Sequence, residues 1–209
     1  MCKFYSYGVS TPHPPRRKDA AQNRAGILVA AVTVLADDPH ASIDTIAKAA
    51  GLSRRAFYGH FEDRGALITA VIAEGAERFN AIAQSVTDDD PRSALAHLAR
   101  GLWGEAQHVH AAVAVALNDK LARLTAQALA PVRVRLLEIC ERGFERDVLR
   151  RDIPPAVTVR LVEEAARSVI THLDPAQTRG HHLAERAVLS AAGLGWQQID
   201  DLIIEGEKA

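Results

Sequence analysis

The sequence predicts an all-α fold, and three observations carry that expectation. Ala and Leu dominate the 209 residues while only 5% are aromatic, a balance that favours helices over sheets. Apolar residues recur at spacings of three and four along most of the chain. The stretch "AKAAGLSRRAFYGHF", residues 47 to 61, interrupts such a pattern with a small-residue turn and then resumes it.

Residues 1 to 16 carry Pro12, Pro14 and Pro15 without helical periodicity and read as a flexible arm. Residues 17 to 36 read as the first helix, with Ile27, Ala31, Val34 and Leu35 on one stripe. Pro39 disfavours helix at Asp38 and ends it. Ser42 suits an N-cap, and Asp44 in the next turn suits the positive end of a helix dipole. The second helix, 43 to 50, places Ile43, Ile46, Ala47 and Ala50 on one face. Gly51 then takes the left-handed position after a helix end. Leu52 tucks in from the turn, and Ser53 caps a third helix. Phe57 and Phe61, four apart, face one core. Arg54, Arg55, Tyr58 and His60 point elsewhere. Gly59 falls inside this third helix, at a cost of about 1 kcal/mol relative to Ala.

Two short helices around a tight turn, the second armed with donors, make a helix-turn-helix. Its second helix enters the DNA major groove while the first crosses the backbone. An ordinary helical corner would explain the Gly turn alone, but not the turn, cap, Phe pair and basic outer face together. The charge agrees. Residues 1 to 65 hold nine Lys/Arg and six acids, 9 − 6 = +3, against −1 for the whole chain. A positive end on an acidic body fits an anionic partner at one end.

Residues 42 to 72, "SIDTIAKAAGLSRRAFYGHFEDRGALITAVI", resemble the DNA-binding signature of the TetR (tetracycline repressor) family. The matching features are the Ile46-Ala47 pair, the Ala50 to Ser53 turn, Phe57-Tyr58, His60-Phe61, and the helix start from Asp63 to Leu67. The resemblance covers roughly residues 20 to 72; the remainder agrees by length and helical character. Gly65 departs from it where an acid is usual, costing a dipole interaction. Arg64 replaces the usual Lys and keeps the charge. The resemblance implies a division into an arm (1–16), a three-helix DNA-binding domain (17–64) and a helical ligand-binding and dimerisation domain (65–209).

On this reading double-stranded DNA is a partner. Tyr58, Lys48, Arg64 and the Ser42/Thr45 edge are expected to hold phosphates, Ser53 to cap the recognition helix and belong to the DNA-binding set, and Arg54, Arg55 and His60 to reach base edges. Arg16, Arg17 and Lys18 form a basic cluster that could lie along phosphates or a minor groove, or simply belong to a floppy tail.

In the body, residues 65 to 86 read as one helix. Residues 91 to 117 follow, with Gly101 and Gly104 as possible bends. Residues 119 to 150 are a Leu-rich stretch that Pro131 breaks or kinks. Helices at about 155–173 and 178–194 follow, then "LGWQQIDDLIIEG". The fourth of these segments carries Leu161, Ala165, Val169 and Leu173. The fifth carries Ala184, Ala187, Val188, Ala191 and Ala192. Such faces serve either an internal core or a homodimer interface; the resemblance, and the need of a two-fold reader for a dimer, favour the interface. The resemblance also implies a pocket among the middle helices for a small-molecule effector, with Trp103, His108, Leu117, Leu121, Phe144 and Arg167 as candidate lining.

No G-x-S-x-G, H-E-x-x-H, phosphate-loop or G-x-G-x-x-G pattern occurs. His97, His108 and His110 lack the spacing of a metal site, so neither metal nor cofactor is expected. The expected function is a ligand-responsive transcriptional regulator, a repressor released from a palindromic operator. An architectural DNA-binding protein is the alternative, and an all-α enzyme a remote one. No apolar run is long enough to span a membrane. The N-terminus lacks the apolar core of a signal peptide, and two distant cysteines make no disulfide framework. A cytoplasmic location is expected.

Overall fold

A computed structural model of the chain describes residues 17–108, 121–172 and 180–206. Every regular element among the described residues is helical. The chain divides into two compact units, residues 1–67 and 68–209.

In the first unit, helix α1 (Arg17–Asp37) buries Ile27, Leu28, Ala31 and Leu35; Val34, expected on that stripe, is half-buried. Helix α2 (Ile43–Ala49) begins at Ser42, whose Oγ accepts from the Thr45 N–H at 3.1 Å. It closes with paired bonds from the Gly51 N–H to the Lys48 carbonyl and from the Leu52 N–H to the Ala47 carbonyl. That closure needs a left-handed residue, and Gly51 has φ +71°. Helix α3 (Arg54–Tyr58) is capped by Ser53, whose Oγ accepts from the Ala56 N–H at 3.2 Å. It is shorter than expected. Gly59 is its C-cap residue rather than an interior one, so the interior-glycine cost does not arise. The Phe61 N–H still bonds to the Phe57 carbonyl. That turn keeps the two rings together, 5.7 Å between centroids and both buried. Burying side chains of this size stabilises by about 1.5–3 kcal/mol each.

Helix α4 (Arg64–Ser85) starts in the first unit and runs on into the second. The acid missing at Gly65 is supplied one position before the helix: Asp63 Oδ1 accepts from the Ala66 N–H at 2.7 Å.

In the second unit, α5 (Pro91–His108) runs unbroken through Gly101 and Gly104, so neither glycine interrupts it. Gly101 instead admits a neighbouring side chain: a Cβ there would lie 2.7 Å from Ile82 Cγ2. The Leu-rich stretch forms two helices, α6 (Ala122–Ala128) and α7 (Ala130–Glu145). The break falls at Leu129 because Pro131, in the first turn of α7, has no N–H to continue α6. Helix α8 (Pro155–His172) and helix α9 (Gly180–Ala191) follow. The terminal segment is also helical, α10 (Trp196–Gly206), burying Ile199 and Ile203.

Helix α9 packs against both α5 and α8, and α7 against α5 and α8. Leu95, Ile139, Leu189, Ala192 and Ile199 lie at the centre of this core. Ala184, Val188 and Ala192 are buried there. Those three small residues, expected at a contact between copies, therefore serve the subunit's own helix packing. Three arginines of α7 and its C-terminal end clamp the loop before α5: Arg135 donates to the Val86 carbonyl, Arg142 to that of Asp88, and Arg146 grips Asp89 through both carboxylate oxygens. No described helix is long and apolar enough to cross a membrane.

Candidate nucleic-acid interface and effector cavity

The helix-turn-helix presents a continuous polar edge. Ser42, Thr45 and Lys48 come from α2 and its cap, Ser53 from the turn, and Arg54, Arg55 and Tyr58 from α3; all seven are exposed. His60, just beyond α3, is half-buried. The caps hold the edge in place. Ser42 Oγ and Thr45 Oγ1 lie 2.9 Å apart, so both hydroxyls are already engaged in starting α2. The buried Phe57 ring anchors α3 from beneath and meets Tyr58 edge-on, which fixes where the Tyr58 hydroxyl is carried.

The basic side chains differ in what already holds them. Lys48 and Arg55 are exposed and form no salt bridge with a described residue. Arg54 donates to Asp44 Oδ2 at 2.9 Å and lies over the Tyr58 ring, 5.7 Å from its centroid. Hydrogen bonding to Tyr58, then the charge of Asp44, hold its pKa above the ordinary arginine value. Arg64 turns back into its own unit. Its Nε donates to the Ala41 carbonyl at 3.4 Å and its Nη2 to the Pro39 carbonyl at 2.5 Å. It fastens the loop before α2 to the start of α4, and only part of its guanidinium is left for a phosphate. Arg24 of α1 lies 5.1 Å from the Phe61 ring centroid, sealing the other side of this core. Sequence spacing gave no signal for the Arg64 clamp or the Asp44–Arg54 pair, since both join residues brought together by the turns. Arg16 lies outside the described residues. Arg17 opens α1, and the side chains of Arg17 and Lys18 also lie outside the description.

The second unit holds a cavity of about 80 Å3 among α5, α7, α8 and α9. Leu98, Leu102, Trp103, Leu136, Val162 and Val188 are among its walls, and its one charged wall residue is Glu163. Arg133 holds both oxygens of Glu163, at 2.6 and 2.7 Å. Of the expected lining residues, Trp103 is on the wall and buried. Three others are placed elsewhere. Leu121 stands half-buried just before α6. Phe144 lies under the Arg151 guanidinium at 5.3 Å. Arg167 is exposed, 3.8 Å from Glu164. Leu117 and the His108 side chain lie outside the described residues. Spacing did not single out the other apolar wall residues, among them Leu98, Leu102, Val132, Leu136 and Val162.

His97 is engaged with Asp88 at 2.9 Å. Among the described residues, no group of three or more His, Cys, Asp and Glu is placed to hold a metal ion. Cys140 is buried, and burial pushes its thiol up to about 12, so it stays a protonated, unreactive thiol at neutral pH.

Comparison with known proteins agrees with this geometry. Residues 27–71 match the model of the family described as bacterial regulatory proteins, tetR family. The fold is shared with solved structures of low identity. The TetR family transcriptional regulator PfmR from Thermus thermophilus is 20% identical, with TM-score 0.68, over 78% of this chain and 97% of that one. FadR from Bacillus subtilis, solved with stearoyl-CoA, is 15% identical with TM-score 0.70, over 81% and 97%. RolR, solved with resorcinol, is 20% identical with TM-score 0.60, over 90% and 95%. No curated protein sequence matches the chain.

Proposed function

We propose that the protein is a homodimeric, effector-released repressor of a near-palindromic operator, a reading supported by the match of residues 27–71 to the model of the tetR family of bacterial regulatory proteins. The observation that carries the reading is the exposed edge of α2 and α3, capped by Ser42 and Ser53, with Lys48 and Arg55 exposed beside it and salt-bridged to no described residue. Arg55 at the start of the recognition helix reads base edges, with Arg54 and His60 beside it. Lys48, Tyr58 and the Ser42/Thr45 edge position the domain on phosphates. Arg64 supports that edge mainly through the loop it clamps and adds charge to the same phosphates. The arm with Arg16, Arg17 and Lys18 adds salt-sensitive affinity.

Two-fold recognition needs two copies, with readers about 34–36 Å apart. The outer face of α8 supports such pairing: Val157 and Leu161 are each 42% exposed, and Leu183 of α9 is 39% exposed. These residues, with the half-exposed Ala165 and Ala187, form the contact between copies.

The effector is a compact, mainly apolar molecule that enters the cavity around Trp103. The ligands of RolR and FadR, resorcinol and stearoyl-CoA, support an effector with apolar bulk. The wall charge of Glu163 is already neutralised by Arg133, which leaves an uncharged interior. At about 80 Å3 the space is below the roughly 150 Å3 at which an engineered apolar cavity accepts benzene. An effector must therefore part α5, α7, α8 and α9 as it enters. That requirement gives it different affinities for two states, which is what release from DNA needs. The test is selection from random duplexes, followed by release of the selected operator in the presence of small phenols and fatty-acyl compounds. Failure of every such compound to lower affinity, with operator binding intact, would leave the DNA-binding part and remove the sensor.

A further inference from the structure

The recognition surface carries a carboxylate beside its basic groups. Asp44 sits in the first turn of α2, exposed, four residues before Lys48 and paired with Arg54 at the start of α3. A carboxylate on a phosphate-facing edge repels every DNA sequence alike. It nevertheless holds the Arg54 guanidinium at 2.9 Å, while Tyr58 supports the same group from beneath. Arg54 is 64% and Asp44 58% exposed at the side chain, so the pair is open to exchange, and such surface pairs are worth little in stability. The Ser42 hydroxyl caps α2 independently, so Asp44 is not required to start that helix.

We propose that Asp44 is a specificity-determining residue that acts through Arg54: it stands in for a DNA phosphate and withholds Arg54 from sequence-independent contacts. On unrelated DNA, Arg54 must give up Asp44 for a phosphate of similar charge, so little is gained and the carboxylate's repulsion remains. On the operator, the docked recognition helix offers Arg54 a base edge or a tightly positioned phosphate, and the exchange is favourable. Asp44 therefore weakens binding to unrelated DNA more than binding to the operator. This inference rests on the DNA-binding reading above.

The experiment measures affinity across a salt series for two duplexes, one carrying the sequence that the wild-type protein enriches from a random library and one of unrelated sequence. Asp44→Asn is expected to tighten the unrelated duplex about three- to tenfold and to steepen its salt dependence by about one phosphate contact, with a smaller change on the operator. In an Arg54→Gln background the same substitution is expected to leave the ratio of the two affinities unchanged. Asp37→Asn, an exposed acid at the end of α1, controls for net charge and leaves the ratio unchanged. Equal tightening on both duplexes, or a change in their affinity ratio that survives in the Arg54→Gln background, would overturn the proposal. So would weaker binding to both duplexes. Enrichment of no sequence by the wild type is a different result; it overturns the DNA-binding reading itself, and this inference with it.

Discussion

Glu185 of α9 is wholly buried and accepts from Arg100 Nε of α5 at 2.5 Å, with His182 Nδ1 3.2 Å from its other carboxylate oxygen. The pair pins together two helices that flank the cavity. Removing one partner of a buried ion pair strands the other, at about 3–5 kcal/mol for full burial. Arg100 is one-third exposed and keeps part of its hydration, so the cost falls at or below the lower end of that range. Glu185→Ala is expected to lower unfolding free energy by about 2–3 kcal/mol in urea titration. Arg100→Met with Glu185→Leu is expected to recover most of that loss. A double variant as unstable as the single one would show that the charge pair itself, and not the stranded arginine, stabilises the helix packing.

The turn before the recognition helix depends on one backbone conformation. Gly51 has φ +71° and no heavy atom within 4 Å of a Cβ placed on it. Gly51→Ala therefore tests backbone strain without a clash. A loss of about 1–2 kcal/mol is expected, read as a lower melting temperature. An unchanged melting temperature would mean that the turn relaxes.

How much of this was legible in the chain follows from where each interaction sits. Ser42, Gly51, Ser53, Phe57 and Phe61 act over three to five residues, so spacing alone placed them. Arg64 reaches back to Pro39, and Arg54 to Asp44. Those distances close only after two turns have formed, and no local pattern encodes them. The body is harder for a second reason. A small-residue face on α9 looks the same whether it packs on a helix of its own chain or on another copy. Here Ala184, Val188 and Ala192 pack on their own chain. The cavity is a packing deficit among ordinary core residues, so Trp103 stood out while Leu102 and Val162 did not.

The cavity has a built-in reporter. The chain has two tryptophans; Trp103 lies on the cavity wall, and Trp196 is 67% exposed. In Trp196→Phe the remaining emission is expected to be blue-shifted, as for a buried indole. It is expected to change on addition of any compound that releases the operator. A releasing compound that leaves Trp103 emission untouched would place the effector elsewhere.

The loop before α5 carries an acid-sensitive contribution. Arg92 holds the Asp90 carboxyl below its ordinary value, and Arg146 does the same for Asp89. A carboxylate with a lowered folded pKa adds stability above its unfolded value of about 3.9 and loses it as pH falls through the folded value. Asp90→Asn is therefore expected to melt below the wild type at neutral pH. The difference is expected to shrink on acidification below about pH 4. A difference that persists undiminished well below pH 4 would assign the effect to the hydrogen bond with the Arg92 N–H rather than to charge.

The central claim is that the edge around α3 reads DNA sequence, and Arg55 tests it most directly. Wild-type protein and Arg55→Ala are each used to select duplexes from a random library, with affinities measured for the enriched and an unrelated duplex. The wild type is expected to enrich an inverted repeat whose half-sites lie about one helical turn apart. Arg55→Ala is expected to lose preference at one position in each half-site, at about 1–3 kcal/mol, while keeping its affinity for unrelated DNA. A wild type that enriches nothing, or an Arg55→Ala variant that enriches the same repeat with the same preference, would contradict the account.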